Sequence, residues 1–309
     1  MDNKNRFLSG VYFDIYEKKP EAPNKDKNHL EQKSSPADMS SSKTEESLER
    51  ELNSLINDFY KNEGLEKHES NDSSPFNPDE IRSEIEKLIG LSNIKEDIEA
   101  LMDFVKIQKL RQEHGLSGSS LALHTAFIGN PGTGKTTVAR LMGEYFRALG
   151  VLKKGHLVEV TRSDLVGQYV GGTSVKTNKV IDKALDGILF IDEAYSLSEG
   201  GENDFGKEVI NILVDRMEKD RNRLAVFLAG YEDNMKVFLS SNPGLASRIP
   251  RKFYFKDYNG QELMEIFKLQ MEKQQYSMSE ECLKKMELYF TYIYDIREKH
   301  FGNGREVRN

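Results

Sequence analysis

From residue 80 onward the apolar positions follow two alternating periods. Ile94, Ile98, Leu101, Phe104, Val105 and Leu110 recur at helical spacing and predict one amphipathic helix. Short apolar runs at 124–128, 157–161, 188–191, 225–228 and 253–255 predict strands, with helical patterns between most of them. Strands that alternate with helices predict a parallel sheet covered on both faces. After Tyr258 the strand signals stop. Residues 261–275 and 279–299 predict two helices, a small helical subdomain appended to an α/β core.

The first 80 residues have another texture. Phe7, Leu8, Val11, Tyr12, Phe13, Ile15 and Tyr16 form one apolar patch, either residual hydrophobicity in a flexible arm or a docking peptide that orders on a partner. Residues 17–47 are dominated by charged, Ser and Pro residues and are expected to be disordered, because nothing there offsets the entropy of ordering. Leu48, Leu52, Leu55, Ile56 and Phe59 predict one short helix, and 69–80 reads as a linker. The predicted organisation is therefore an N-terminal region over 1–80, an α/β core over 81–258 and a helical subdomain over 259–309.

Composition sharpens this picture. Apolar residues make up 37% of the 309 and charged residues 31%, against about 45–50% with glycine counted and about 25% in ordinary globular chains. The core segments must then hold a disproportionate share of the apolar residues. No apolar run approaches the ~18–20 residues of a bilayer span, and the N-terminus lacks the basic-then-apolar layout of a secretory signal. A cytoplasmic chain with no membrane partner is expected. The single cysteine, Cys282, excludes an internal disulfide and a Cys-based zinc cluster. Lys and Arg total 44 against 51 Asp and Glu, a net charge of −7. That balance disfavours a sequence-independent grip on nucleic acid, and no nucleic-acid partner is expected.

The chemistry sits after two of the predicted strands. GNPGTGKTT, residues 129–137, fits G-x-x-x-x-G-K-S/T between a strand and a helix-like segment. Gly129, Gly132 and Gly134 let the backbone curl and turn its N–H groups toward an anion, with Asn130, Pro131, Thr133 and Thr137 completing the loop. Lys135 adds a charge aimed at the β- and γ-phosphates, and the Thr136 hydroxyl can ligate magnesium. ILFIDEAY, residues 188–195, is a buried strand that ends in two carboxylates. Asp192 would hold the magnesium, and Glu193 could polarise an attacking water as a general base. Together these predict a P-loop nucleoside triphosphatase that uses ATP and Mg2+. The acid pair favours water as acceptor, hence hydrolysis rather than a kinase.

Residues 88–309 resemble the AAA+ ATPases, in the branch that contains stage V sporulation protein K and the red-type Rubisco activases. LIGLSNIKEDI, GNPGTGKTTVARL, LVGQYVGGTSVKT, GILFIDEAYSL, GGENDFGKE, LAGYEDNM, NPGLASRIP and GNGREVRN carry the likeness, and GGENDFGKE draws it toward the sporulation protein. The resemblance implies a five-stranded parallel sheet with a helical lid, and nucleotide bound between neighbouring subunits of a hexameric ring. It puts Ile89 and Gly90 against the adenine. It makes Arg248 the arginine finger that reaches the next subunit's γ-phosphate, with Arg251 as runner-up. It makes Arg305 the sensor 2 arginine of the lid. Tyr169, Val170 and Gly171 match the loop that lines the ring pore and grips a protein client.

Two departures from the family pattern stand out. Tyr231 occupies the place where most relatives carry a sensor 1 asparagine, with Asn234 close by as a substitute. The chain also stops where the family continues its sensor 2 helix, so a partial lid is expected, from a fragment or a form with a defective lid. The leading function is an ATP-driven remodeller of a protein client, with a link to sporulation implied by resemblance alone. The alternative is an ATP-gated assembly scaffold without threading. A nucleic-acid motor is disfavoured by the acidic balance and the absence of a basic stripe.

Overall fold

The computed structural model describes residues 15–17, 77–116, 122–167, 169, 171–200 and 204–309. The predicted helix over 45–60, the predicted disorder over 17–47 apart from Glu17, and the linker up to residue 76 lie outside the described residues.

Five parallel strands make the central sheet. They are β2 (Thr125–Gly129), β3 (Leu157–Val160), β4 (Gly187–Ile191), β5 (Leu224–Gly230) and β6 (Arg251–Phe255), in the order β3-β4-β5-β2-β6. The inner strands β4 and β5 are buried at every residue, as expected for parallel strands with helices on both faces. Alternation along β2 divides the core. Ala126 and Ile128 join one apolar cluster, and Phe127 joins the other. The Phe127 ring lies 4.8 Å from Phe227, 5.4 Å from Phe255, 5.6 Å from Phe253 and 6.0 Å from Phe190. Truncating such a fully buried aromatic costs about 3–5 kcal/mol, so this ladder pins the strand that leads into the glycine loop.

The Phe127 face is covered by α1 (Pro78–Glu86), α2 (Ser92–Glu113) and α3 (Lys135–Ala148). Ile94, Ile98, Leu101 and Val105 form the predicted stripe of α2 and are buried, whereas Leu110 at its end is exposed. The opposite face is covered by α5 (Gly172–Ala184), α6 (Gly206–Lys219) and α7 (Glu232–Ser241). Two short helices complete the core, α4 (Arg162–Leu165) before α5 and α8 (Pro243–Arg248) before β6.

The C-terminal subdomain holds α9 (Gly260–Lys273), α10 (Glu280–Asp295) and α11 (Gly304–Arg308). A capping box starts α9: the Asn259 side chain accepts from Glu262 N, and the Glu262 side chain accepts from Asn259 N. Ser279 caps α10 by accepting from Cys282 N. Between these helices, Tyr276–Met278 forms a strand, β7, that the periodicity does not show. It pairs antiparallel with β1 (Ile15–Glu17), in register Ile15 with Met278. The end of the N-terminal patch therefore pairs with the chain's own lid subdomain.

Candidate nucleotide site

The loop from β2 to α3 bends because its glycines take backbone angles that other residues resist. Gly129, Gly132 and Gly134 have φ of 155°, 73° and 90°. Gly129 also has no room for a side chain, since a Cβ there would stand 2.3 Å from the Phe255 carbonyl. The Lys135 ammonium donates to the carbonyls of Gly129 at 2.9 Å and Asn130 at 2.7 Å. Burial pushes its pKa down to about 8, against the opposing charge of Asp192, while Arg305 pushes the same way as burial. Thr133 is fully buried and donates to the Asn130 carbonyl, which closes the loop on itself.

A cavity of about 770 Å³ opens over this loop, within the range of about 300–1,000 Å³ typical of small-molecule sites. Gly129, Pro131, Gly132, Gly134, Lys135, Thr136 and Thr137 line its floor, and Asp192 and Glu193 close one side. Glu193 follows Asp192 in a left-handed conformation, φ 48° and ψ 45°, and its N–H donates to Asp192 Oδ1 at 3.0 Å. Ile89 lines the cavity with Leu88 and Leu91, a small apolar wall that suits a flat base. Gly90 does not line it. Its missing side chain instead admits Glu262, whose Oε1 would stand 2.5 Å from a Cβ at that position.

The lid reaches the same cavity. Arg305 and Arg308 enter from α11, and Ile266, Leu269, Gln270 and Lys273 from α9. At the junction of core and lid, Tyr258 donates its hydroxyl to the Thr133 carbonyl at 3.2 Å. Burial, with a smaller push from Glu262, raises its pKa to about 12, so it stays a neutral brace.

Two family models match the chain: the ATPase family associated with various cellular activities (AAA) over residues 125–257, and the AAA lid domain over 259–309. The chain is 47% identical over 231 residues to stage V sporulation protein K of Bacillus subtilis (strain 168), covering 74% of this chain and 72% of that protein. It is 48% identical over 225 residues to the chloroplastic ribulose bisphosphate carboxylase/oxygenase activase of Cyanidioschyzon merolae, covering 72% and 76%. It is 44% identical over 232 residues to protein CbbX of Cereibacter sphaeroides, covering 74% of each. The chain belongs to the AAA ATPases.

Within this AAA ATPase the structure brings most of the sequence-predicted site together. Asn130 is turned away from the cavity and donates to both carboxylate oxygens of Asp257, at 2.9 and 3.1 Å. Tyr231, directly after β5, lines the cavity and packs edge-on against His300 with ring centres 4.6 Å apart. Asn234 does not reach the cavity, and its side chain donates to Glu199. Arg248 also lies outside the cavity of its own chain, at the end of α8. It faces Glu218 at 3.4 Å, and its buried Nε has no hydrogen-bond partner. Arg251 is tied inward: it donates to the Ala122 carbonyl and lies 5.2 Å over the Phe104 ring.

Tyr169 is 78% exposed and is not part of the core. Its carbonyl accepts from Gly172 N at 3.0 Å, and Gly171, two residues on, has φ 81° with open space where a Cβ would stand. Val170 lies outside the described residues.

Four charged lining residues escape the motif reading: Arg140, Glu159, Lys273 and Arg308. Arg140 follows Thr136 by one helical turn and Arg308 follows Arg305 by three residues, so helical spacing from the motif residues points to both. Glu159 offers no such signal. It stands on β3 and accepts from the Thr136 hydroxyl at 3.3 Å.

Proposed function

We propose that this ATPase works as a hexameric ring that uses ATP hydrolysis to remodel a protein client in the cytoplasm. Tyr169 carries the reading: this large aromatic is exposed on a glycine-flanked turn and packs into no core among the described residues. The location of Arg248 supports the ring. An arginine with an unpartnered buried Nε, outside its own chain's cavity, suits delivery of charge to a neighbour's site. The similarity to a protein named for sporulation supports a place in that process, and the similarity to an activase named for an enzyme supports a protein client.

Phosphates entering the loop would take over the Lys135 ammonium from the Gly129 and Asn130 carbonyls. Gly132 and Gly134 keep the loop open to them, and Arg305 would approach from the lid. Thr136 and Asp192 offer the hard oxygen donors that Mg2+ prefers. Two protein donors suit a cation that would complete its shell with phosphate oxygens and water. Bound there, magnesium would neutralise charge on those oxygens. Glu193 would accept the proton of the attacking water, and Tyr231, which lines the same cavity, would orient that water.

A second reading, an ATP-gated scaffold that assembles without pulling, is favoured by Tyr231 in the place of an asparagine. One experiment separates the two. Glu193→Gln, which keeps shape but removes the base, should lower turnover by about 10²–10⁴ and retain client protein in the presence of ATP. Loss of turnover with no retained client, in a protein that still assembles with ATP, selects the scaffold.

A further inference from the structure

Asn303 is fully buried, and its backbone has φ 50° and ψ −124°. Glycine adopts that conformation without strain, and an asparagine does so at a cost. A side chain kept there is expected to have a task. Its Oδ1 accepts from Tyr258 N at 2.8 Å. Its Nδ2 faces three acceptors: Asp257 Oδ1 at 2.7 Å, the Phe301 carbonyl at 3.0 Å and the Pro131 carbonyl at 3.3 Å.

These contacts join into one network at the loop. Asp257 accepts from Asn130, Asn303 donates to Pro131, and Gly304 N donates to the Gly132 carbonyl at 3.1 Å. Three consecutive residues of the phosphate loop are thus each held by the hinge or the lid. Asp257 has a further neighbour, Arg297, with Nε at 3.6 Å, and its charge also acts on Lys135.

We propose that Asn303 is a positioning residue for phosphate binding. Through Asp257 and Pro131 it fixes the apex of the loop, and through its backbone it sets α11, with Arg305 and Arg308, over that loop. The proposal rests on the reading of the loop as the ATP site. It makes phosphate affinity depend on a lid residue that itself does not line the cavity.

The test uses two variants of the full chain. Asn303→Asp keeps the shape but turns a carboxylate toward Asp257 and two carbonyls. Asn303→Gly suits the backbone and removes the side chain alone. Both should weaken ATP binding by about 10–100-fold, as loss of a supporting shell does elsewhere, with KM rising more than kcat falls. Adding Asp257→Asn to Asn303→Asp restores a donor between the pair, though not to the Pro131 and Phe301 carbonyls, and should regain part of the lost affinity. Calorimetric affinity, kcat and KM, and thermal midpoint are measured on each. Wild-type affinity in folded Asn303→Gly overturns the proposal, as does an affinity loss in Asn303→Asp that Asp257→Asn does not relieve. Lys135→Ala is run alongside. If it too binds ATP normally, the phosphate-loop reading falls and takes the proposal with it. If it loses ATP while Asn303→Gly does not, Asn303 alone is refuted.

Discussion

The carbonyl oxygen of Gly302 lies 2.2 Å from where a Cβ on Gly132 would stand. Lid and phosphate loop therefore meet backbone against backbone. Gly132→Ala would introduce both this clash and a left-handed alanine, since Gly132 has φ 73°. The backbone contribution alone is about 1–2 kcal/mol. We expect a lower thermal midpoint together with weaker ATP binding. A variant with wild-type midpoint and affinity would show that the lid does not sit on the loop in solution.

His124 makes the fold sensitive to acid. Its Nδ1 accepts from Val226 N at 3.0 Å and its Nε2 meets the Met217 carbonyl at 3.2 Å, an arrangement that needs the neutral ring. Burial pushes its pKa down to about 4, opposed by the Met217 hydrogen bond. Below the unfolded value of 6.5 the unfolded chain binds more protons, so stability present above pH 6.5 is lost as pH falls toward 4. At about 1.4 kcal/mol per unit, the loss is on the order of 3 kcal/mol. Urea midpoints at pH 7 and pH 5 should differ in the native protein, and the difference should shrink in His124→Gln. Equal slopes in both proteins would rule out His124 as the source.

Arg248→Ala should lose hydrolysis in a homogeneous assembly and regain part of it when mixed with Lys135→Ala subunits. Each variant supplies at an interface what the other lacks. Arginine fingers contribute about 10³–10⁵ in rate in related P-loop enzymes. Mixed assemblies that demonstrably form and stay inactive would exclude action across the interface.

Tyr169→Ala should leave the thermal midpoint and basal ATP hydrolysis unchanged, because the ring is exposed and makes no core contact. Remodelling of a client should be lost. Full remodelling by this variant would remove the loop from the mechanism, and a marked drop in midpoint would show that the ring is packed after all.

The sheet and the nucleotide loop were legible in sequence because their signals are local. Each strand of the sheet is a short apolar run, and the residues of the loop act within nine positions of one another. The polar hinge was not legible. Asn130 and Asp257 are 127 residues apart, and Pro131 and Asn303 are 172 apart. A buried polar pair of that separation leaves no period and no motif in the chain. β7 was missed because three residues, Tyr276–Met278, are too few to show alternation. Its pairing with β1 depends on a segment about 260 residues away, which no window of sequence contains.

Glu193 has a consequence for heat resistance. A glutamate at φ 48° and ψ 45° holds a backbone shape that glycine would hold without penalty. Replacing it with glycine would relieve a cost of about 1–2 kcal/mol and remove the carboxylate in the same step. A selection for thermal tolerance alone would favour that change, and with Glu193 as the proposed base the hardier protein would be catalytically silent. On the proposed reading, the chain thus holds a strained carboxylate next to Asp192 in exchange for its chemistry.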